Sequence, residues 1–290
     1  MRIGVVFPQT EIGSSGVDLQ NYGQSVEKMG FRHILAYEHV VGADPTVHKG
    51  WTGAYDLHST FHEPMVMFGY LAAVTTTIEL VTGVVVLPQR QTALVAKQAA
   101  EIDLLSDGRL RLGVGVGWNR VEYEALGEDF TNRGRRAAEQ IDVLRRLWTE
   151  ESFTYEGQYH RITGAGLAPR PLQRPIPVWL GGNSVLALER VGRLADGWFP
   201  QVVPGPELDK ALQTVERAAG AAGRDPSTIG MEGQVAWNGE VNQVIDGIGE
   251  WVAAGASHIA VNTMDVGLGT LDEHLDVLHR VAEQVPELVG

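Results

Sequence analysis

Short apolar, β-branched runs alternate with amphipathic stretches from one end of this chain to the other, and few folds accommodate that rhythm. Such runs belong to strands buried on both faces, as in a parallel sheet covered by crossover helices. About eight units are readable. Strands are expected at Ile3–Phe7, His33–Tyr37, Glu79–Leu87, Leu110–Val116, Val178–Gly181, Gly197–Phe199, Gly230–Val235 and His258–Asn262. Between them, sets such as Leu19, Tyr22, Val26 and Met29, or Leu271, Leu275, Leu278 and Val281, fall three or four apart and define one helical face. Glycines at Gly30 and Gly255 each stop a helix just before the next strand. Eight units in 290 residues suit a closed (β/α)8 barrel. An open doubly wound sheet would more often show a nucleotide fingerprint at its first turn, and Phe7–Thr10 carries none. One domain spanning residues 1–290 is expected.

Two connections exceed simple turns, Val40–His62 and Glu150–Pro177. The first follows the second strand, which in a barrel places it at the catalytic rim, where long loops serve as lids. Composition narrows the partners. A formal net charge of -13 argues against a nucleic-acid surface, and the run Arg133, Arg135, Arg136 followed by Glu139 reads as a solvated helix face. With no cysteine there are no disulfides, thiolate nucleophiles or Cys-based metal sites. The opening Ile3–Pro8 lacks the pattern of a secretory leader, and no later run is long and apolar enough for a bilayer, so a soluble cytoplasmic protein without membrane contact is expected.

The fourth strand ends in Gly113, Gly115 and Gly117, which share one face of an extended chain while Val114 and Val116 point the other way into packing. Trp118 stands where a dinucleotide motif requires its third glycine, so a nucleotide-cradling turn is disfavoured. Close packing and contact with a flat ligand both remain open for this bare face. Gly83 interrupts the third strand, as a bulge, a barrel corner or a close approach to a ligand would require. After the fifth strand, Gly181, Gly182, Asn183 and Ser184 lead into an apolar helix, either as a plain cap or as an anion site.

The second strand delivers Glu38 and His39 together to the rim. A carboxylate beside an imidazole suits proton transfer, although neighbours on a strand point oppositely and only one of them need face the site. His58 and His62 have the spacing of a helical metal pair. The segment is broken by Gly and Pro and lacks the glutamate of H-E-x-x-H, so histidines bordering a pocket, with no metal, are expected.

As a set, these segments resemble the luciferase-like monooxygenase superfamily, and within it the coenzyme F420-dependent oxidoreductases. The resemblance runs through Val5–Gln9, Glu38–His39, His62–Pro64, Val81–Val84, Leu87–Arg90, Ala96–Gln98, Leu105–Leu110, Leu112–Asn119, Arg133–Arg135, Gln173–Pro175, Gly181–Ser184 and Ala195–Trp198, about the first two thirds of the chain. It implies a bacterial luciferase-like (β/α)8 barrel with extended rim loops, holding a flavin-like ring at its C-terminal rim. A non-prolyl cis peptide would fall at Gly83-Val84, with Thr82 beside it, to support the ring. Gly115, Gly117, Trp118 and Asn119 would lie along the ring and its ribityl chain, and Gly181, Gly182, Asn183 and Ser184 would receive phosphate. Glu38 and His39 match the acid/base position, while Trp51, His58, His62 and Gln89 would border the substrate.

Two departures bear on substrate. Deazaflavin relatives more often have Asp where Glu38 stands. The glutamate that follows the strand-four glycines in some sugar-phosphate dehydrogenases is replaced by Trp118, and no rim cluster of Lys or Arg calls for a phosphorylated substrate. The expectation is an F420-dependent enzyme, a homodimer on the same resemblance, moving a hydride between deazaflavin C5 and a small organic molecule. FMN-dependent monooxygenation is the alternative, followed by a non-catalytic flavin-binding barrel and a sugar-phosphate isomerase.

Overall fold

A computed structural model describes residues 1–285. In chain order the elements are β1 (Arg2–Val6), α1 (Gly16–Lys28), β2 (His33–Ala36), α2 (Pro64–Val74), β3 (Glu79–Thr82), β4 (Val85–Val86), α3 (Thr92–Leu105), β5 (Leu110–Gly115), α4 (Arg120–Ala125) and α5 (Arg133–Thr149). There follow β6 (Phe153–Glu156), β7 (Arg161–Ala165), β8 (Val178–Gly181), α6 (Val185–Leu194), β9 (Gly197–Phe199), α7 (Pro206–Ala221), β10 (Gly230–Ala236), α8 (Val241–Ala253), β11 (His258–Asn262) and α9 (Leu271–Gln284).

Parallel pairing runs from β1 through β2, β3, β5, β8, β9, β10 and β11, and β1 pairs β11 to close an eight-position barrel. The expected alternation is therefore realised. Local chemistry starts the helices where they are needed: Ser15 caps α1, Glu63 and Pro64 open α2, and Thr270 with Glu273 forms a capping box on α9. Apolar faces of the helices bury against the outside of the sheet, as with Leu19, Tyr22 and Val26 of α1 or Val277, Leu278 and Val281 of α9. Inside the barrel a second, smaller cluster includes Val6, Leu35, Val81, Trp179, Phe199 and Ala260.

Below that cluster, at the N-terminal ends of the strands, the filling is charged. Arg111 bridges Glu232 at 2.5 Å and Glu79 at 3.0 Å, and His33 Nε2 meets the other Glu232 oxygen at 2.9 Å. Burial alone would raise the Glu232 carboxyl, but Arg111 and His33 outweigh it and hold it down at about 2. The ion network plugs the barrel floor.

Two expectations change. The third strand, read as continuous from Glu79 to Leu87, divides into β3 and β4 around a cis Gly83-Val84 peptide. The register moves from Val81 opposite Arg111 to Val85 opposite Val114, so β3–β4 carries one residue more than β5 over that stretch. The Glu150–Pro177 connection is not an irregular loop, for it contains the antiparallel pair β6–β7. His160 anchors this hairpin: its ring nitrogens lie 2.8 Å from Glu139 Oε1 and 2.6 Å from Thr92 Oγ1.

Candidate active site

The C-terminal strand ends surround a cleft of about 490 Å³. Just past β2 come Tyr37, Glu38 and His39; from the bulge and β4, Gly83, Val84 and Val86; from the end of β5 and the residues after it, Gly115, Val116, Gly117 and Trp118. The far side is made by Gly181 to Ser184, by Phe199, Pro200 and Gln201, and by Gln234 of β10. Tyr37 Oη donates to Gln234 Oε1 at 2.9 Å across the floor of the cleft.

The bare glycine face points into the barrel and serves two purposes. A Cβ on Gly113 would collide with the Thr82 carbonyl oxygen, and one on Gly115 with Val84 Cγ2. Gly113 is thus a packing residue outside the cleft, whereas Gly115 and Gly117 form its wall. Val114 is buried in the outer core as expected, but Val116 turns toward the cleft instead of into packing.

Glu38 and His39, expected to act as a pair, have separate partners. Glu38 is buried; one carboxylate oxygen accepts the Val86 N–H at 2.5 Å, and the other is bound by Arg90. Burial outweighs these partners and lifts the Glu38 carboxyl above its ordinary range. The same Arg90 nitrogen also donates to Glu63 at 2.6 Å, so one guanidinium joins both ends of the long rim connection. Glu38 therefore supports the bulge and loop, and His39 is left to the cleft.

The carboxylate beside His39 comes from elsewhere. Glu122 of α4 is buried and brings Oε1 to 3.6 Å from His39 Nδ1. Its Oε1 accepts the Val40 N–H at 2.6 Å, and its Oε2 accepts Gln89 Nε2 at 3.0 Å. Burial would raise this carboxyl, but His39, the Val40 N–H and Gln89 outweigh it and hold Glu122 below its ordinary value. Around the imidazole stand Phe61, Tyr55 and Trp118, with ring centroids at 4.9, 5.2 and 5.5 Å. Sequence reasoning missed Glu122. Its only sequence signal is its place three residues after Asn119, in the first turn of the helix that the glycine run enters.

Other expected site residues are placed differently. Thr82 donates its hydroxyl to the Gly113 carbonyl at 2.7 Å inside the barrel, and Asn119 caps α4 by accepting from Val121 and Glu122. Neither side chain lines the cleft. Gln89 reaches it only through Glu122, and Trp51 only through Trp118, whose ring lies 5.8 Å away. His62 packs against Phe7, and His58 is exposed on a non-helical segment, so the two do not form an i, i+4 face. Among the described residues no group of three or more His, Cys, Asp or Glu is placed to hold a metal ion.

The turn after β8 delivers Ser184, whose hydroxyl caps α6 by accepting from Ala187 N–H at 3.3 Å. Behind Ser184 and Ala187 opens a second cleft of about 570 Å³, sharing those residues and Val116 with the first. Its walls carry Arg133 and Arg135 from the start of α5 and Arg190 and Arg193 from α6. This corrects the reading of the α5 arginines as a solvated face for the half-buried Arg133, while Arg135 is exposed as expected, and it supplies the basic cluster near the rim that the sequence did not reveal. Arg136 is half-buried and paired with Glu128 at 2.8 Å, and Arg135 is the exposed member of the run. Burial, then Arg193 and Arg133, push Arg190 below its ordinary value. Arg133 Nε, Arg190 Nε and Asn132 Oδ1 are buried without a hydrogen-bond partner. Unpaired guanidinium nitrogens and like-charge repulsion both fit an anion seated here.

The pattern that defines the luciferase-like monooxygenases matches residues 1–241, and the chain belongs to that family. Among its relatives, a protein of Mycobacterium tuberculosis (strain ATCC 25618 / H37Rv) is 38% identical over 164 residues, which is 57% of this chain and 56% of that protein's own length. The FMNH2-dependent dimethylsulfone monooxygenase of Pseudomonas fluorescens (strain Pf0-1) is 33% identical over 175 residues, 59% of this chain and 47% of the relative. The F420-dependent tetrahydromethanopterin reductase of Methanopyrus kandleri superposes over 99% of this chain and 98% of its own with a TM-score of 0.77, at 16% identity, a likeness of fold alone. The chain is thus a member of a family of luciferase-like oxidoreductases and monooxygenases.

Proposed function

We propose that the protein is an F420-dependent oxidoreductase acting on a small, uncharged organic substrate. The observation that carries the reading is the arginine-lined cleft behind Ser184. Its 570 Å³ equals roughly twenty water molecules at their liquid volume, far more than one phosphate displaces. A cofactor whose anionic chain continues beyond its phosphate uses that space, and a flavin ending at phosphate does not.

In this reading Gly83, Val84, Gly115 and Gly117 support the ring, Ser184 and the α6 N-terminus meet the phosphate, and Arg133, Arg135, Arg190 and Arg193 hold the anionic tail. Bound there, the deazaflavin supplies the hydride chemistry. His39 exchanges the proton that accompanies it, at the ring nitrogen turned away from Glu122. Tyr55 and Trp118 shelter that exchange from water. Apart from Glu38, bound to Arg90, and Glu122, the cleft lining carries no carboxylate, and no Lys or Arg, which suits an uncharged substrate.

Titration of the protein with F420 and with FMN, followed by tryptophan quenching, tests the cofactor. Saturable quenching by F420 is expected; tight FMN binding with no F420 response would overturn the reading in favour of FMNH2-dependent monooxygenation, which the 33% identical dimethylsulfone monooxygenase favours. For the chemistry, His39→Ala is expected to slow turnover far more than it weakens cofactor binding, and unchanged turnover would remove the role of His39.

A further inference from the structure

We infer that Glu122 is a positioning residue that fixes the tautomer of His39, so that Nδ1 keeps its proton and Nε2 stays free to exchange one in the cleft. The inference rests on His39 being the proton-transfer residue, and its own test does not depend on turnover.

Three observations converge. Glu122 Oε1 is the carboxylate oxygen facing His39 Nδ1, at 3.6 Å, and no other carboxylate among the described residues is within ion-pair distance of this imidazole. That separation exceeds a hydrogen bond, and a side-chain movement of roughly half an ångström would close it to the usual 2.7–3.2 Å range. The carboxylate is itself held in place by the Val40 N–H at 2.6 Å, the Val41 N–H at 3.3 Å and Gln89 Nε2 at 3.0 Å. All of these donate, so the group they fix is an acceptor, and the proton between Glu122 and the ring belongs to Nδ1.

The remaining faces of His39 offer Nδ1 no competing acceptor of that strength. Phe61, Tyr55 and Trp118 approach as rings, two of them in edge geometry. They restrict rotation of the imidazole and leave the choice of tautomer to Glu122. An imidazole free in water prefers the proton on Nε2, the arrangement that would leave the cleft facing a donor instead of a base. A second-site carboxylate on Nδ1 reverses that preference by the same logic that orients histidines in catalytic triads and in metal sites.

The test is a nitrogen–proton correlation spectrum of the full chain labelled with 15N-histidine, recorded above the histidine titration range, with the His39 signals assigned by their loss in His39→Asn. The expected spectrum shows the Nδ1–H tautomer at His39, and Glu122→Ala shifts it to Nε2–H. A wild-type His39 in the Nε2–H form overturns the inference, and so does an Nδ1–H form that survives in Glu122→Ala. Should that variant fail to fold, Glu122→Gln retains the acceptor without its charge. The Nδ1 proton resonance is then expected to move upfield, and an unmoved resonance is equally fatal. If His39→Ala leaves turnover unchanged while the tautomer result holds, the catalytic role of His39 fails and the positioning by Glu122 does not.

Discussion

The indole of Trp118 stands edge-on to the imidazole of His39, with centroids 5.5 Å apart and planes at 64°. Trp118 is also 44% exposed, so it forms a wall of the cleft without being a keystone of the core. Trp118→Ala is expected to cost less than about 1 kcal/mol of stability. In the F420 titration it should remove a large share of the tryptophan quenching, because this indole borders the proposed ring site. Quenching retained in full would place the ring elsewhere.

Arg190 lies against Gly134, where a Cβ would come within 2.7 Å of its terminal nitrogen, and close enough to Arg133 and Arg193 to be repelled by both. Replacing it should therefore act in opposite directions in the two states. Arg190→Met is expected to weaken F420 binding about tenfold or more, equivalent to about 1.4 kcal/mol, with a shallower salt dependence. The same change should leave the cofactor-free protein as stable as wild type or slightly more so at low salt. Thermal unfolding with and without cofactor measures both effects, and equal losses in the two states would show that Arg190 is merely structural.

Two buried groups and one half-buried group give stability the same pH sign. Burial pushes His274 down to about 4 and His258 down to about 3, so both stay neutral in the fold while the unfolded chain takes up protons below its ordinary value of 6.5. Their contribution is intact above pH 6.5 and is lost as pH falls toward 4 and 3. Glu232, held at about 2 by Arg111 and His33 against burial, adds stability above 4.5 that is lost as pH falls toward 2. Urea unfolding should thus show a plateau near neutrality and a decline beginning near pH 6.5, approaching roughly 1.4 kcal/mol per pH unit for each histidine. His274→Gln should lower that slope, and an unchanged slope between pH 6 and 4.5 would contradict the assignment.

Gly115 and Val84 share one small volume. Gly115→Ala should destabilise by about 1–3 kcal/mol through overpacking, and Val84→Ala in the same chain should recover part of the loss. A double-mutant cycle in which the two changes merely add would mean that the methyl groups do not meet.

Barrel and strand order were legible because buried parallel strands write themselves as short apolar runs rich in β-branched residues, as in Ile3–Phe7 or around Ile259 and Val261. The hairpin was not, because Thr154, Glu156, Arg161 and Thr163 interrupt its apolar residues and β7 has no buried residue. His39 and the glycines that line the cleft, Gly115 and Gly117, were visible as local motifs. Glu122 was not, because its meaning depends on a loop N–H at Val40 that lies 82 residues earlier in the chain. The second cleft escaped for a related reason. Arg133 opens α5 and Arg190 stands in α6, helices that are brought together only by the barrel, and a linear reading left Arg133 on a solvated face and gave Arg190 no role.

Arg90 binds Glu38 and Glu63 with a single nitrogen, and those two carboxylates stand at the start and the finish of the rim loop that carries Trp51, Tyr55 and Phe61. The clamp fixes the separation of the loop's ends, and the entropic cost of closing a loop between fixed ends grows only slowly with its length, by about 0.6 kcal/mol for each doubling. Changes of length are therefore expected to be tolerated in its exposed middle, around Val47, Lys49 and Gly50, and not at Tyr55 or Phe61, whose rings pack against the imidazole of His39.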